Sequence, residues 1–347
     1  MYTRGFSIIE ALLALLIVTT MTVTAFEFDA YTNQALSKKI ITSTVSEPVF
    51  SDRYRGYDTC FLDSNYTVSS IDYVTLPFVT SVVGRSGYVF VSADSNIQSD
   101  PDLYIFKNGA VEAALSTGPG LRDIAITKGL VYAANTSSLS QVQKIDITNI
   151  LSPKVVAAYA FASTGNAIRF DQNKIYIGVE KSSGPELAVL SENLSLQNTY
   201  ETNSQINDIY ITDKIYVAAS DINQLHILGQ GTFSPSGWET QQGKALAASG
   251  TEIYFGRTVG GFNNKNNHEL FLFGSTSVDI GTGVYGLVSS GDLLFVATKG
   301  VQVWKKPFTY MYTIPLSSDS VSLSCDKDTL FVGLKSGFAT IHFTYAN

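Results

Sequence analysis

The side chains best suited to chemistry in this 347-residue chain are few and scattered. Its three histidines are His226, His268 and His342. No two share the close spacing that gathers metal ligands or a catalytic pair. Asp123 and Asp208 each open an Asp-Ile-x-Ile segment. Two carboxylates in equivalent places could do acid–base work. An aspartate at the start of a strand also satisfies backbone N–H groups, and that plainer role is the one expected. Asp94, Asn96, Asp100 and Asp102 bring hard oxygen donors of the kind calcium takes into one loop. Their spacing matches no EF-hand loop and lacks its closing glutamate, so a solvated turn is expected there. No glycine-rich phosphate loop follows a strand and opens a helix. No catalytic residue, metal or cofactor is predicted. Cys60 and Cys325 allow one disulfide if the domain folds outside a reducing compartment, or else two thiols.

A different chemistry sits at the N-terminus. Met1-Tyr2-Thr3-Arg4-Gly5 is followed by Phe6-Ser7-Ile8-Ile9-Glu10 and an apolar run from Ala11 to Phe26. The 21 residues from Phe6 to Phe26 carry one charge, Glu10. As a helix they would be about 31 Å long, the thickness of a bilayer core. Arg4 favours a cytoplasmic N-terminus. A secretory signal peptide would end in small residues, and Thr24-Ala25-Phe26 makes a poor cleavage site. A plain membrane anchor leaves unexplained the carboxylate of Glu10 inside the apolar run. The sequence stays compatible with a helix to about Ser46, and Pro48 stops it.

The segment Gly5-Phe6-Ser7-Ile8-Ile9-Glu10 resembles the type IV prepilin motif. The resemblance covers about residues 1–30. It implies that a prepilin peptidase cuts between Gly5 and Phe6 and methylates the new Phe6 amine. It also implies that Glu10, fifth after the cut, serves assembly by pairing with the Phe6 amine of a neighbouring subunit. An ammonium and a carboxylate attract strongly in a low-dielectric filament core, where each alone is costly to bury. The chain departs from many major pilins in having Glu27 where they carry a helix-breaking proline.

The elements that must carry any further function come from a repeat. Each copy is an apolar strand, a polar turn, a strand with a central aromatic, a third strand and a weaker fourth. The aromatics are Phe90, Tyr132, Tyr176, Tyr216, Tyr254, Phe295 and Phe331, 36 to 44 residues apart. A four-stranded propeller blade needs about 40–50 residues. The seventh copy ends with the chain and lacks its fourth strand. Tyr73-Val74-Thr75-Leu76-Pro77 resembles Tyr312-Thr313-Ile314-Pro315-Leu316, which precedes that copy. Residues 70–77 are therefore predicted to complete blade seven and hide the open edge. The Asp-Ile-x-Ile starts and Lys144-Ile145-Asp146-Ile147 resemble LVIVD-type propeller repeats, which imply architecture and no particular chemistry.

The expected fold is mainly β: a seven-bladed β-propeller preceded by a long N-terminal α-helix that is both membrane span and filament core. The expected division is a leader at 1–5, the helix at 6–46, a linker at 47–69 and the propeller at 70–347. Charged residues make up 15% of the chain, against about 25% ordinarily, and its net charge is −7. That balance disfavours nucleic acid, which needs clustered Lys and Arg. Trp238, Trp304 and the many tyrosines could supply a contact surface for protein or glycan.

The expected function is a type IV pilus or pilin-like subunit, minor or at the tip, displaying the propeller for adhesion or binding. Its partners would be other pilin-like subunits, the prepilin peptidase, the inner membrane before assembly, and an extracellular protein or glycan. A pseudopilin of a type II secretion system recognising cargo and a surface-tethered propeller hydrolase are the alternatives.

Overall fold

A computed structural model describes residues 59–346, apart from 96, 98, 128, 162, 222, 229–230, 234–241 and 259–267. Six four-stranded sheets and one five-stranded sheet make up the described chain. Within each four-stranded sheet, strands that follow one another in sequence are antiparallel neighbours. These are the seven blades, numbered here in chain order. Their innermost strands are Val79–Arg85, Leu121–Thr127, Gly165–Asp171, Ile206–Ile211, Gly243–Ser249, Gly286–Ser290 and Ser320–Lys327.

Short-range chemistry sets the hairpins. Ser86-Gly87 and Asn108-Gly109 have φ of 50° and 78°, and 51° and 75°. Two consecutive positive φ values match the right-handed twist of the flanking strands. Packing sets the ring. All seven second-strand aromatics are buried, between 0 and 8% exposed. Tyr132 of blade 2 stacks on Phe170 of blade 3, with ring centroids 5.4 Å apart. Phe331 of blade 7 lies so close to Gly84 of blade 1 that a Cβ there would meet its ring at 1.9 Å. Only glycine allows the first and last blades this approach.

Tyr66–Thr75 pairs antiparallel with Gly337–Tyr345, from Tyr66↔Tyr345 to Thr75↔Gly337. It is the outer strand of blade 7, and it begins four residues before the predicted 70–77. The chain ahead of it also belongs to the blade, so the predicted linker at 47–69 is already propeller from Thr59. Thr59–Cys60 pairs in parallel with Asp326 and Lys327 on the innermost strand. Leu62 is fully buried with Val288 of blade 6 and Ile341 of blade 7. Ser290 Oγ donates to Leu62 O at 2.7 Å.

The expected fold class needs correction. Every regular element among the described residues is a strand, and no helix there is long and apolar enough to cross a membrane. The expected helix at 6–46 and the leader lie outside the described residues. The architecture is an all-strand seven-bladed propeller. Second strands such as Leu293–Ala297 are buried on both faces, because neighbouring blades cover both sides of each sheet.

One position repeats its job from blade to blade. The residue just before the third strand is Asp102, Gln141, Glu186 and Glu269 in blades 1, 2, 3 and 5, all buried. Each side chain accepts the backbone N–H of the residue two places beyond its outer strand. The donors are Thr117 (2.9 Å), Phe161 (2.6 Å), Thr202 (2.9 Å) and Ile280 (3.0 Å). Glu186 also takes the N–H of Asn203 at 2.9 Å. Glu186→Ala would strand buried donors and is expected to cost about 1–3 kcal/mol in urea unfolding. Glu186→Gln should cost clearly less, since Gln141 does the same work in blade 2.

Candidate functional site

The innermost strands surround a channel that holds a cavity of about 190 Å³. Six of the seven carry a β-bulge at their first turn. The register skips Thr80, Arg122, Asn166, Asn207, Lys244 and Val321 in blades 1, 2, 3, 4, 5 and 7. A bulge re-aims the extra side chain. All six line the channel, with Tyr285 from the segment that opens blade 6. Val321 apart, they form a polar ring at one mouth.

Three ring members join neighbouring blades. Thr80 Oγ1 donates to Leu121 O at 2.7 Å, Asn166 Nδ2 to Ile206 O at 2.5 Å, and Asn207 Nδ2 to Gly243 O at 2.6 Å. In each case the acceptor sits just before the bulge of the next blade. Arg122 reaches sideways to Asp94, 3.0 Å away. Lys244 Nζ donates to Asn207 Oδ1 at 3.3 Å, and among the described residues it has no carboxylate partner. Burial holds the Lys244 ammonium below the usual lysine range.

Beneath the ring, one guanidinium bridges two aspartates. Arg169 of blade 3 lies 2.6 Å from Asp123 Oδ2 of blade 2 and 2.5 Å from Asp208 Oδ1 of blade 4. Both carboxylates also accept strand N–H groups. Asp123 takes Ile124 N and Ile168 N, and Asp208 takes Ile209 N and Leu246 N, at 2.8–3.0 Å. Burial pushes Asp208 up to about 6, against the downward pull of Arg169 and with a further push from Asp123. Charge-assisted hydrogen bonds thus run from blade 2 through blade 5.

The sequence-predicted residues fall in several places. Cys60 and Cys325 form a disulfide with Cα atoms 5.2 Å apart. Asp123 and Asp208 do take the expected backbone N–H groups, and Arg169 is the partner that the sequence did not reveal. Asp94 and Asp102 are buried rather than in a solvated turn, because Asp102 caps the chain at Thr117 and Asp94 holds Arg122. One oxygen of each, Oδ1, is buried without a hydrogen-bond partner. Asp100 belongs to the same loop, and Asn96 lies outside the described residues. Among the described residues no three His, Cys, Asp or Glu side chains group to hold a metal.

The histidines stay apart. His226 lies 3.4 Å from Asp221, His268 Nδ1 is 2.7 Å from Ser277 Oγ, and His342 is 3.2 Å from Asp72. Trp304 is buried and donates to Gln302 Oε1 at 3.1 Å. Trp238, Gly5, Phe6 and Glu10 lie outside the described residues. The ring residues Asn166, Lys244 and Tyr285 escaped sequence reading. The usable signal was positional: a polar residue one place before the repeat's Asp or Ala, as in Arg122-Asp123, Asn166-Ala167, Asn207-Asp208 and Lys244-Ala245.

No family model matches this chain, and no curated protein matches it in sequence. Solved structures do resemble it. Virginiamycin B lyase from Staphylococcus aureus shares 12% identity over 79% of this chain and 99% of its own, with a TM-score of 0.60. A chain of the mitotic checkpoint complex shares 13% over 85% of this chain and all of its own, with a TM-score of 0.63. The computationally designed Ika8 protein shares 13% over 79% of this chain and all of its own, with a TM-score of 0.55. At these identities the likeness is one of fold, the seven-bladed β-propeller.

Proposed function

We propose that this chain is a pilin-like subunit, minor or at the tip, that displays its propeller outside the cell as a binding module. The observation that carries the reading is the Cys60–Cys325 disulfide, because such bonds persist in oxidising compartments. Export is what the prepilin-like start, Gly5-Phe6-Ser7-Ile8-Ile9-Glu10, would provide. The precursor would pass through the inner membrane, be cut by the prepilin peptidase after Gly5, and join other subunits through Glu10.

The first described strand and the polar ring lie at opposite ends of the innermost strands. Thr59–Cys60 pairs at the C-terminal end of the innermost strand of blade 7, whereas the ring lies at the N-terminal ends of these strands. Binding is favoured over hydrolysis because Asp123 and Asp208 already serve Arg169 and the strand N–H groups.

Mass spectrometry of sheared surface filaments tests the reading. It should find a peptide that begins at methylated Phe6. Glu10→Ala should keep the protein in the cell envelope and lower its filament content at least tenfold. Mature protein in the cytoplasm with Met1–Gly5 attached would refute the proposal. Processed protein retained in the envelope and never sheared off would point to the pseudopilin reading instead.

A further inference from the structure

We propose that the polar mouth of the channel binds one acidic sugar residue, with its carboxylate on Lys244, a hydroxyl on Asn166 and its apolar ring face on Tyr285. This rests on the reading of the propeller as a binding module and names its ligand class.

Three ring members keep unspent groups. Among the described residues Lys244 makes one hydrogen bond, to an amide oxygen, so its charge has no acidic partner there. Asn166 uses its Nδ2 on Ile206 O, and its Oδ1 makes no hydrogen bond among the described residues. Tyr285 is 44% exposed, and its hydroxyl likewise has no hydrogen-bond partner there. The three offer a cation, an acceptor for a hydroxyl, and an aromatic face with a polar tip. A pyranose bearing a carboxylate presents the complement of each: an anion, hydroxyl donors and a face of C–H groups.

Charge selects the anion. Arg122 is matched by Asp94, which leaves Lys244 as the ring cation without a carboxylate partner among the described residues. The Asp123–Arg169–Asp208 bridge below carries two carboxylates against one guanidinium. A monoanion suits that balance, and a phosphate dianion would meet repulsion from beneath. The chain as a whole is at −7, so a local positive site would stand out to an approaching acid. Size selects a single residue. The cavity of about 190 Å³ is smaller than the about 300–1,000 Å³ of sites for drug-sized ligands. A terminal sugar fits where a longer segment would have to project outward.

Burial of Lys244 also has a consequence for recognition. Partial desolvation makes an isolated ammonium costly, and a carboxylate brought against it restores the lost stabilisation. The interaction should weaken as salt rises, because the mouth opens to solvent.

Calorimetric titration of the full-length protein with D-glucuronate, N-acetylneuraminate, D-glucose and inorganic phosphate tests the proposal. At least one of the two acids should bind, with glucose and phosphate at least tenfold weaker. Lys244→Met should weaken the acid at least tenfold, and Lys244→Arg should stay within about threefold of the parent. Tyr285→Ala, at an exposed position that should tolerate it, should cost about fivefold even if Lys244→Met does not fold. Equal binding of glucuronate and glucose would overturn the inference, as would phosphate binding as tightly as the acid. Failure of both acids to bind, or unchanged affinity in Lys244→Met and Tyr285→Ala, would do the same. Recovery of methylated Phe6 in sheared filaments reports on display separately, so a failed titration leaves that reading standing.

Discussion

Arg169→Met is expected to lower stability by about 3–5 kcal/mol at pH 7.5, and to regain much of that loss near pH 5. The substitution keeps the length and the apolar stem of the side chain and removes the guanidinium. Asp123 and Asp208, on the blades either side of Arg169, would then lack the cation that now lies 2.6 and 2.5 Å from them. Removing one partner of a buried ionic group costs more than the group itself contributes, because the remaining charges stay desolvated.

The sign of the pH effect follows from Asp208. Its carboxyl is already pushed up to about 6, from an ordinary value of 3.8. A group whose folded value is raised favours the folded state below its unfolded value, and that contribution fades as pH rises through the folded value. In the native chain this term should erode between about pH 4 and 6. In Arg169→Met the principal downward influence is gone, so the window moves to higher pH and the penalty at neutrality grows. Urea unfolding at pH 5.0, 6.0 and 7.5 would measure this. A variant as stable as the parent at pH 7.5, or a loss that does not vary with pH, would show that the bridge does not hold blades 2, 3 and 4 together.

The paired change Cys60→Ser with Cys325→Ser should cost about 2–5 kcal/mol, near the upper end of that range. The bond links positions 265 residues apart, so it closes nearly the whole propeller in the unfolded chain. Loop-closure entropy grows with the logarithm of length, and a loop this long sits high on that curve. For a domain of this size the loss corresponds to a fall in Tm of about 5–10 °C. The ring itself should survive, since Tyr66–Thr75 remains paired along Gly337–Tyr345. What should loosen first is the Thr59–Leu62 segment, whose Leu62 fills the space between blades 6 and 7. Thermal scans with and without dithiothreitol should reproduce the fall in the parent and show none in the double variant. A parent whose Tm ignores reductant, although mass analysis shows the thiols freed, would refute it.

Much of the propeller was legible in one dimension. Seven copies of a short apolar strand followed by a strand with a central aromatic can only be buried by stacking, and a period near 40 residues leaves a ring of blades as the natural solution. Even the closing strand could be read, because Tyr73-Val74-Thr75 repeats the pattern of Tyr312-Thr313-Ile314. The bounds were less legible. Thr59–Cys60 and Leu62 carry no periodic signal; they belong to the propeller because Lys327 and the core between two blades receive them.

The candidate site divides the same way. Asp123 and Asp208 could be located, and their backbone role anticipated, because that chemistry is local to the start of a strand. Arg169 could not be assigned to them, since its partners lie 46 and 39 residues away and meet it only when three blades converge on one axis. Tyr285 had no distinguishing sequence context, and Lys244 had only its place one residue before the repeat's Ala245. What sets them apart is the bulge in one strand, the absence of a matching carboxylate and the shared channel. The amino-acid order by itself determined the repeat and the number of blades, since both depend on neighbours along the chain. Only the tertiary structure decided that the cysteines bond, that Asp94 and Asp102 are buried, and that Lys244 meets no carboxylate among the described residues, because those outcomes depend on side chains that closure of the ring brings together.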